Sequence, residues 1–232
     1  IGARSSMRTQ ARVGPSGPRA SAGVAGGGGR RPPPPPPAAL SEWLAAPEAD
    51  PPDPADALRV AALRAQGAIA TPPQGVPGPA CTFAAAVVNG GWLTVGWLGD
   101  SRVYLLGADG GALRMTADDT LAAEAARAGL LPPEAAETGP GAHTITRWLG
   151  PGNADPVPRV ASVPLTAPGR VVVCTDGLWN YVSAAAAVAA RVADLPTRAS
   201  ALAVARHLTS VALRAGGRDN VTVVVMDLPG RA

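Results

Sequence analysis

Residues 81–106 read CTFAAAVVNGGWLTVGWLGDSRVYLL, three apolar runs separated by two short punctuations. The first run ends at Asn89-Gly90-Gly91. That is a hairpin signal, because a two-residue turn that suits strand twist needs positive φ at both central positions. The second run covers 92–98 and ends at Gly99-Asp100-Ser101, and the third covers 102–106. Asp109-Gly110-Gly111 then turns the chain into a short fourth strand. The spacing predicts a meander of antiparallel strands with one face on a core.

Outward from this block, the periodicity changes to helical. Asp56 opens a helix whose apolar positions Leu58, Val60, Ala61 and Leu63 run to about Ile69, and Leu40, Trp43 and Leu44 mark a shorter one capped by Ser41. Beyond the meander, Asp118 or Asp119 caps a helix to about Ala128, and Pro132-Pro133-Glu134 starts a short one. Strands are expected over 157–163, 170–175 and 220–226. Two more helices are capped by Ser183 and Thr197, the second closed by Gly216-Gly217. Strands and helices fall in blocks rather than strict alternation, so the class is α+β with layered antiparallel sheets.

Composition excludes several chemistries. All 20 basic residues are arginine, so no lysine serves as a phosphate-loop cation, Schiff-base amine or general base. Cys81 and Cys174 lie far apart in apolar runs and read as inert buried thiols, and two histidines argue against a zinc site. No apolar stretch reaches the ~18 residues of a membrane helix. The expectation is a cytoplasmic protein that binds no membrane. The net charge of +3 is uneven: residues 1–40 carry six arginines and no acid, and the other 192 residues sum to −3. Residues 1–37, with Gly26 to Gly29 and Pro32 to Pro37, are expected to be a disordered Gly/Pro/Arg-rich tail. Nothing aromatic or periodic accompanies its arginines, so no nucleic-acid partner is expected.

Three acids stand at strand ends beside glycine or a small polar residue: Asp100 before Ser101, Asp176 before Gly177, and Asp219 before Asn220. Hard divalent cations take carboxylate ligands of this kind and keep several waters. Spacing alone does not separate this from turn or capping roles.

Four strings occur in order: Gly99-Asp100-Ser101-Arg102, Thr146-Arg147-Trp148-Leu149-Gly150, Cys174-Thr175-Asp176-Gly177-Leu178-Trp179 and Gly217-Arg218-Asp219-Asn220-Val221-Thr222. They resemble the G-D-S-R, L-T-R-x-L-G, S-D-G-L-W and D-N-[IV]-T motifs of the metal-dependent serine/threonine protein phosphatases (PPM, or type 2C). Asp119-Thr120 with Ala128-Gly129-Leu130 is similar to a D-H-T…A-G-L segment of bacterial members. The resemblance covers 38–228 and leaves 229–232 as a tail. It implies a four-layer α/β/β/α sandwich with two core Mn2+ or Mg2+ ions and a weaker third. Asp176 and Asp219 would hold the second of the two core metals, and Asp100, with help from Asp176, the third. Gly177, Asn220 and Ser101 would support them. It further implies a metal-activated water attacking phosphoserine or phosphothreonine proteins, with a serine/threonine kinase as counterpart, and a mobile flap over 118–141. The haloacid-dehalogenase alternative needs a second Asp two positions after the first, and position 178 is Leu.

The resemblance stops at the N-terminus. Residues 1–37 contain no D-G-x-G-G, whose aspartate bridges both metals in the family, and no flanking pattern marks a phosphate-clamping arginine. The sandwich is therefore expected to be incomplete there and turnover impaired. An inactive relative that binds phosphoproteins is the alternative. A segment without acids in a lysine-free chain is also what out-of-frame reading of GC-rich DNA yields, so 1–37 is expected not to be the authentic start.

Overall fold

The computed structural model describes residues 19–26, 53–69, 78–153 and 155–228. The strands are β1 (Arg19–Gly26), β2 (Cys81–Asn89), β3 (Trp92–Leu98), β4 (Arg102–Gly107), β5 (Ala112–Arg114), β6 (Arg159–Pro164), β7 (Gly169–Cys174) and β8 (Val223–Leu228). The helices are α1 (Pro54–Ala68), α2 (Leu121–Arg127), α3 (Asp176–Trp179), α4 (Ala185–Ala193) and α5 (Ala201–Arg214), with a 3-10 turn at Pro133–Ala136. The expected helix at Leu40 to Leu44 and the tail 229–232 lie outside the described residues.

The apolar block forms as its turn chemistry dictates at one end and departs from it at the other. Gly90 and Gly91 both have positive φ, +56° and +78°, and Asn89 pairs directly with Trp92. The Gly99-Asp100-Ser101 junction is not a hairpin. There the chain leaves one antiparallel sheet, ordered β1-β2-β3-β6, and enters a second, ordered β5-β4-β7-β8. Gly99 makes this change with φ +91° against the Thr82 side chain.

The two sheets pack face to face, so strands alternate between two buried sides rather than a buried and a wet one. Ala84, Ala86, Leu93, Val95, Trp97, Val103, Val171, Val173 and Met226 fill the space between sheets. On the far side of the first sheet, Phe83, Ala85, Val87 and Leu98 pack on Leu58, Ala61 and Ala62 of α1. On the far side of the second, Tyr104, Val172, Val223 and Val225 pack on Val188 of α4 and Val204 and Leu208 of α5. The result is the α/β/β/α layering that the resemblance implies. The continuous apolar runs follow from having both faces covered, which corrects the expectation of a single buried face.

Residues 19–26 correct the reading of 1–37 as disordered. They form a strand paired over eight residues with β2, from Arg19 opposite Val88 to Gly26 opposite Cys81. Composition tests whether a segment can build its own core. It does not test whether a neighbouring strand edge supplies backbone partners. Among the described residues no helix is long and apolar enough to cross a membrane.

Replacing Gly99 by Ala combines left-handed backbone with a Cβ placed 2.5 Å from Thr82 Cγ2, whereas at Gly90 the same Cβ meets open space. We expect Gly99→Ala to destabilise by about 2–3 kcal/mol and Gly90→Ala by about 1 kcal/mol in urea unfolding.

Candidate functional site

Register brings three chain ends to one rim. Arg102 at the start of β4 pairs with Cys174 at the end of β7, and Cys174 pairs with Val223 at the start of β8. Asp100, Asp176 and Asp219 lie two residues before, two after and four before these positions, so the sheet gathers them at the same end.

The Asp100 junction is held from several sides. The Gly99 N–H donates to Asp119 Oδ2 (3.1 Å), and the Asp119 N–H donates back to the Gly99 carbonyl (3.0 Å). Ser101 and Thr82 share a hydroxyl hydrogen bond of 2.8 Å across the two sheets. The Trp179 indole N–H donates to the Asp100 carbonyl at 2.8 Å. The Asp100 side chain is buried, 5% exposed. Burial first, then the charges of Asp176 and Asp118, push its carboxyl up to about 7 against the opposing pull of its own backbone N–H and Arg102.

Asp176 begins α3, a single helical turn. Its carboxylate accepts from the Gly177 N–H (2.9 Å), and its carbonyl accepts from the Asn180 N–H. Gly177 is required because a Cβ there would run into the Asn220 carbonyl. Thr175 closes this junction: its hydroxyl donates to the Asn220 carbonyl (3.2 Å) and accepts from the Thr222 N–H (3.1 Å). Asn220 thus ties the loop through its backbone. Asp219 is exposed and accepts from the Asn220 N–H at 2.6 Å. Tyr181 accepts from the Arg218 N–H at 3.1 Å, beside the Gly216-Gly217 closure of α5. The Asp176 carboxyl is raised by burial and then by Asp219, with His143 acting the other way.

Several sequence expectations find different partners. Thr120, not Asp118 or Asp119, caps α2, accepting from the Ala123 N–H. Asp118 instead pairs with Arg102 at 2.5 Å, and Asp119 pairs with Arg159 at 2.7 Å. Ser200 rather than Thr197 caps α5, and Ser183 accepts from Arg102 instead of capping α4. Arg147 is engaged by Asp155 (2.6 Å) and the Val157 carbonyl. Trp179 packs beneath the site, 2% exposed. Arg102, Asp118 and Asp119 were missed as site residues. The available signal was a charged residue opening an otherwise apolar strand, which carries meaning only once both sheet faces are known to be covered.

The charges separate into two kinds. Buried Asp118 and Asp119 each have an arginine, while Asp100, Asp176 and Asp219 have no ion pair among the described residues. Asp176 with Asp219 suits one hydrated hard cation, with Asp100 beside it, since such ions accept one or two carboxylates plus waters. Among the described residues no three His, Cys, Asp or Glu side chains form a group that could hold an ion.

Comparison with known proteins agrees with this architecture. The model of the family described as protein phosphatase 2C matches residues 38–211. Serine/threonine protein phosphatase PstP of Mycobacterium tuberculosis is 35% identical over 151 residues, 65% of this chain and 28% of that protein. The chain therefore spans less than a third of that relative's length. The crystal structure of the M. tuberculosis phosphatase PstP/Ppp superposes with a TM-score of 0.69 at 26% identity, covering 96% of this chain and 95% of that one. The catalytic domain of PstP in complex with 2 manganese ions gives 0.63 at 27% identity, covering 91% and 87%.

The raised carboxyls set a pH dependence. Asp100 in the folded chain stays protonated to about pH 7, whereas its ordinary value is 3.8. The native state therefore binds more protons than the unfolded chain between about pH 4 and 7, and stability falls as pH rises through that window. Asp176 acts in the same direction. We expect Asp100→Asn to be more stable than the parent by on the order of 2 kcal/mol at pH 8 without divalent cations. The difference should vanish near pH 4, as read by urea unfolding at both pH values.

Proposed function

Because this chain belongs to the protein phosphatase 2C family, we propose that it is a serine/threonine protein phosphatase domain acting on phosphoserine and phosphothreonine proteins. Its divalent cation, Mn2+ or Mg2+, is held by Asp176 and Asp219 with Asp100 adjacent. The observation that carries this reading is the rim of three acids that have no ion pair among the described residues, in a fold where buried Asp118 and Asp119 are matched by arginine. When bound, such a cation supplies an activated water for in-line attack on phosphorus.

The chain's own residues fit direct hydrolysis rather than a covalent route. The Cys174 thiol is buried and pushed up to about 12 by that burial, and burial also raises Cys81. Neither is an activated nucleophile. Thr175, Gly177 and Asn220 lock Asp176 against the Asp219 loop, and Ser101 fastens the Asp100 junction to the first sheet. The counterpart class is a serine/threonine kinase, and the compartment is the cytoplasm.

A second reading is favoured by two specific observations. The sequence has no D-G-x-G-G, and among the described residues no three His, Cys, Asp or Glu side chains form a group that could hold an ion. On that reading the chain binds phosphoproteins without turnover. Phosphate release from a phosphothreonine peptide, measured with the purified chain across a Mn2+ titration, separates the two. We expect slow, Mn2+-dependent release that drops to background in Asp176→Asn, a loss of ~100-fold or more in cation affinity. Mn2+ binding that depends on Asp176 without any release would transfer the conclusion to the binding module. Absence of both would sink both readings.

A further inference from the structure

Among the described residues, the largest fully buried side chain is an arginine, Arg102. It opens β4 on the same face as Tyr104, beneath the helical layer. Its guanidinium grips Asp118 bidentately, Nε to Oδ1 at 3.0 Å and Nη2 to Oδ2 at 2.5 Å. Nη1 donates to Ser183 Oγ at 2.9 Å, and Nη2 lies 3.0 Å from Glu137 Oε1. Ser183 also donates to the other Glu137 oxygen. The flat face of the guanidinium stacks on Trp179, with Cζ 3.9 Å from the ring centroid.

These contacts converge on the acidic rim. Trp179 holds the Asp100 carbonyl through its indole N–H and sits in the single turn that begins with Asp176. Asp118 precedes α2, and Glu137 follows the 3-10 turn. One planar side chain therefore touches the ring that fixes Asp100, the connection after α3, and both ends of 118–137. Only a guanidinium offers a fork and a stacking face together, and it stays charged when buried. A half-exposed Glu137, itself paired with Arg114 at 2.8 Å, is the outer end of the cluster.

We propose that Arg102 is a positioning residue that fixes Asp100 and the Asp176 turn relative to one another, and that Glu137 couples this geometry to the 118–141 segment. The affinity readout rests on the cation reading of the rim; the exchange readout does not.

The test uses the full chain with Glu137→Gln and Arg102→Lys. Mn2+ affinity is read by electron paramagnetic resonance of free Mn2+, backbone protection by hydrogen exchange, and stability by urea unfolding. We expect both variants to bind Mn2+ ~10-fold more weakly. Exchange should rise in 99–102 and 176–180, while α1 and β2 keep their protection. Loss of stability alone, with affinity and rim exchange as in the parent, would overturn the proposal. If Arg102→Lys does not fold, Glu137→Gln decides by the same criteria, since its side chain is 33% exposed. If the parent binds no Mn2+, the cation reading fails and the exchange pattern alone decides the role of Arg102.

Discussion

The structure depends on one change of sheet. Within three residues, Gly99 to Ser101, the chain passes from β3 in the first sheet to β4 in the second. Two sheets that would otherwise each bury a single face are thereby stacked, and a shared interior of alanine, valine and methionine forms between them. The same step sets the site. Because β4 starts where β7 ends and β8 starts, the loops at those positions share one rim. The positive φ of Gly99, its reciprocal bonds with Asp119 and the Thr82–Ser101 link keep the corner from relaxing into a hairpin.

Charge follows from this packing. A corner pressed between layers buries polar groups that must be matched or kept neutral. The fold answers in two ways. Asp119 at the corner is fully buried and satisfied by Arg159, with Arg147 at 3.7 Å. Asp118 is matched by Arg102, which brings its own cost of burial and offsets it with four polar contacts and a ring face. Asp100 has no such partner among the described residues, and burial with the neighbouring acids pushes its carboxyl up to about 7.

Strand positions were legible because both signals used for them are local: apolar runs and glycine-bearing turns. β2, β3, β4 and the Gly90-Gly91 hairpin fall where residues 81–106 place them. Which sheet a strand joins is not local, and Gly99-Asp100-Ser101 reads as a hairpin in sequence although it is a corner. Helix caps failed for a related reason. Ser183, Asp118 and Asp119 all have capping chemistry, and all three are taken by long-range partners instead. The three rim acids are singled out by the resemblance and by their places at strand ends; periodicity alone does not distinguish them from Asp118 and Asp119. Arg102 escaped because nothing in a strand's sequence says that its outer face lies under helices.

The acids that have no ion pair among the described residues are also placed unevenly between the two sheets. Asp176 follows β7 and Asp219 precedes β8 of the second sheet, and Asp100 lies in the junction leading into it. The first sheet reaches the same rim through the start of β2, beside which β1 ends: Gly26 lies opposite Cys81, and Phe83 opposite Leu98. Residues 19–26 read RASAGVAG and contribute no carboxylate there. The edge strand is in register and reaches the same end, so both sheets contribute backbone to this rim, while the three acids without ion pairs among the described residues come from the β3–β4 corner, the end of β7 and the loop before β8.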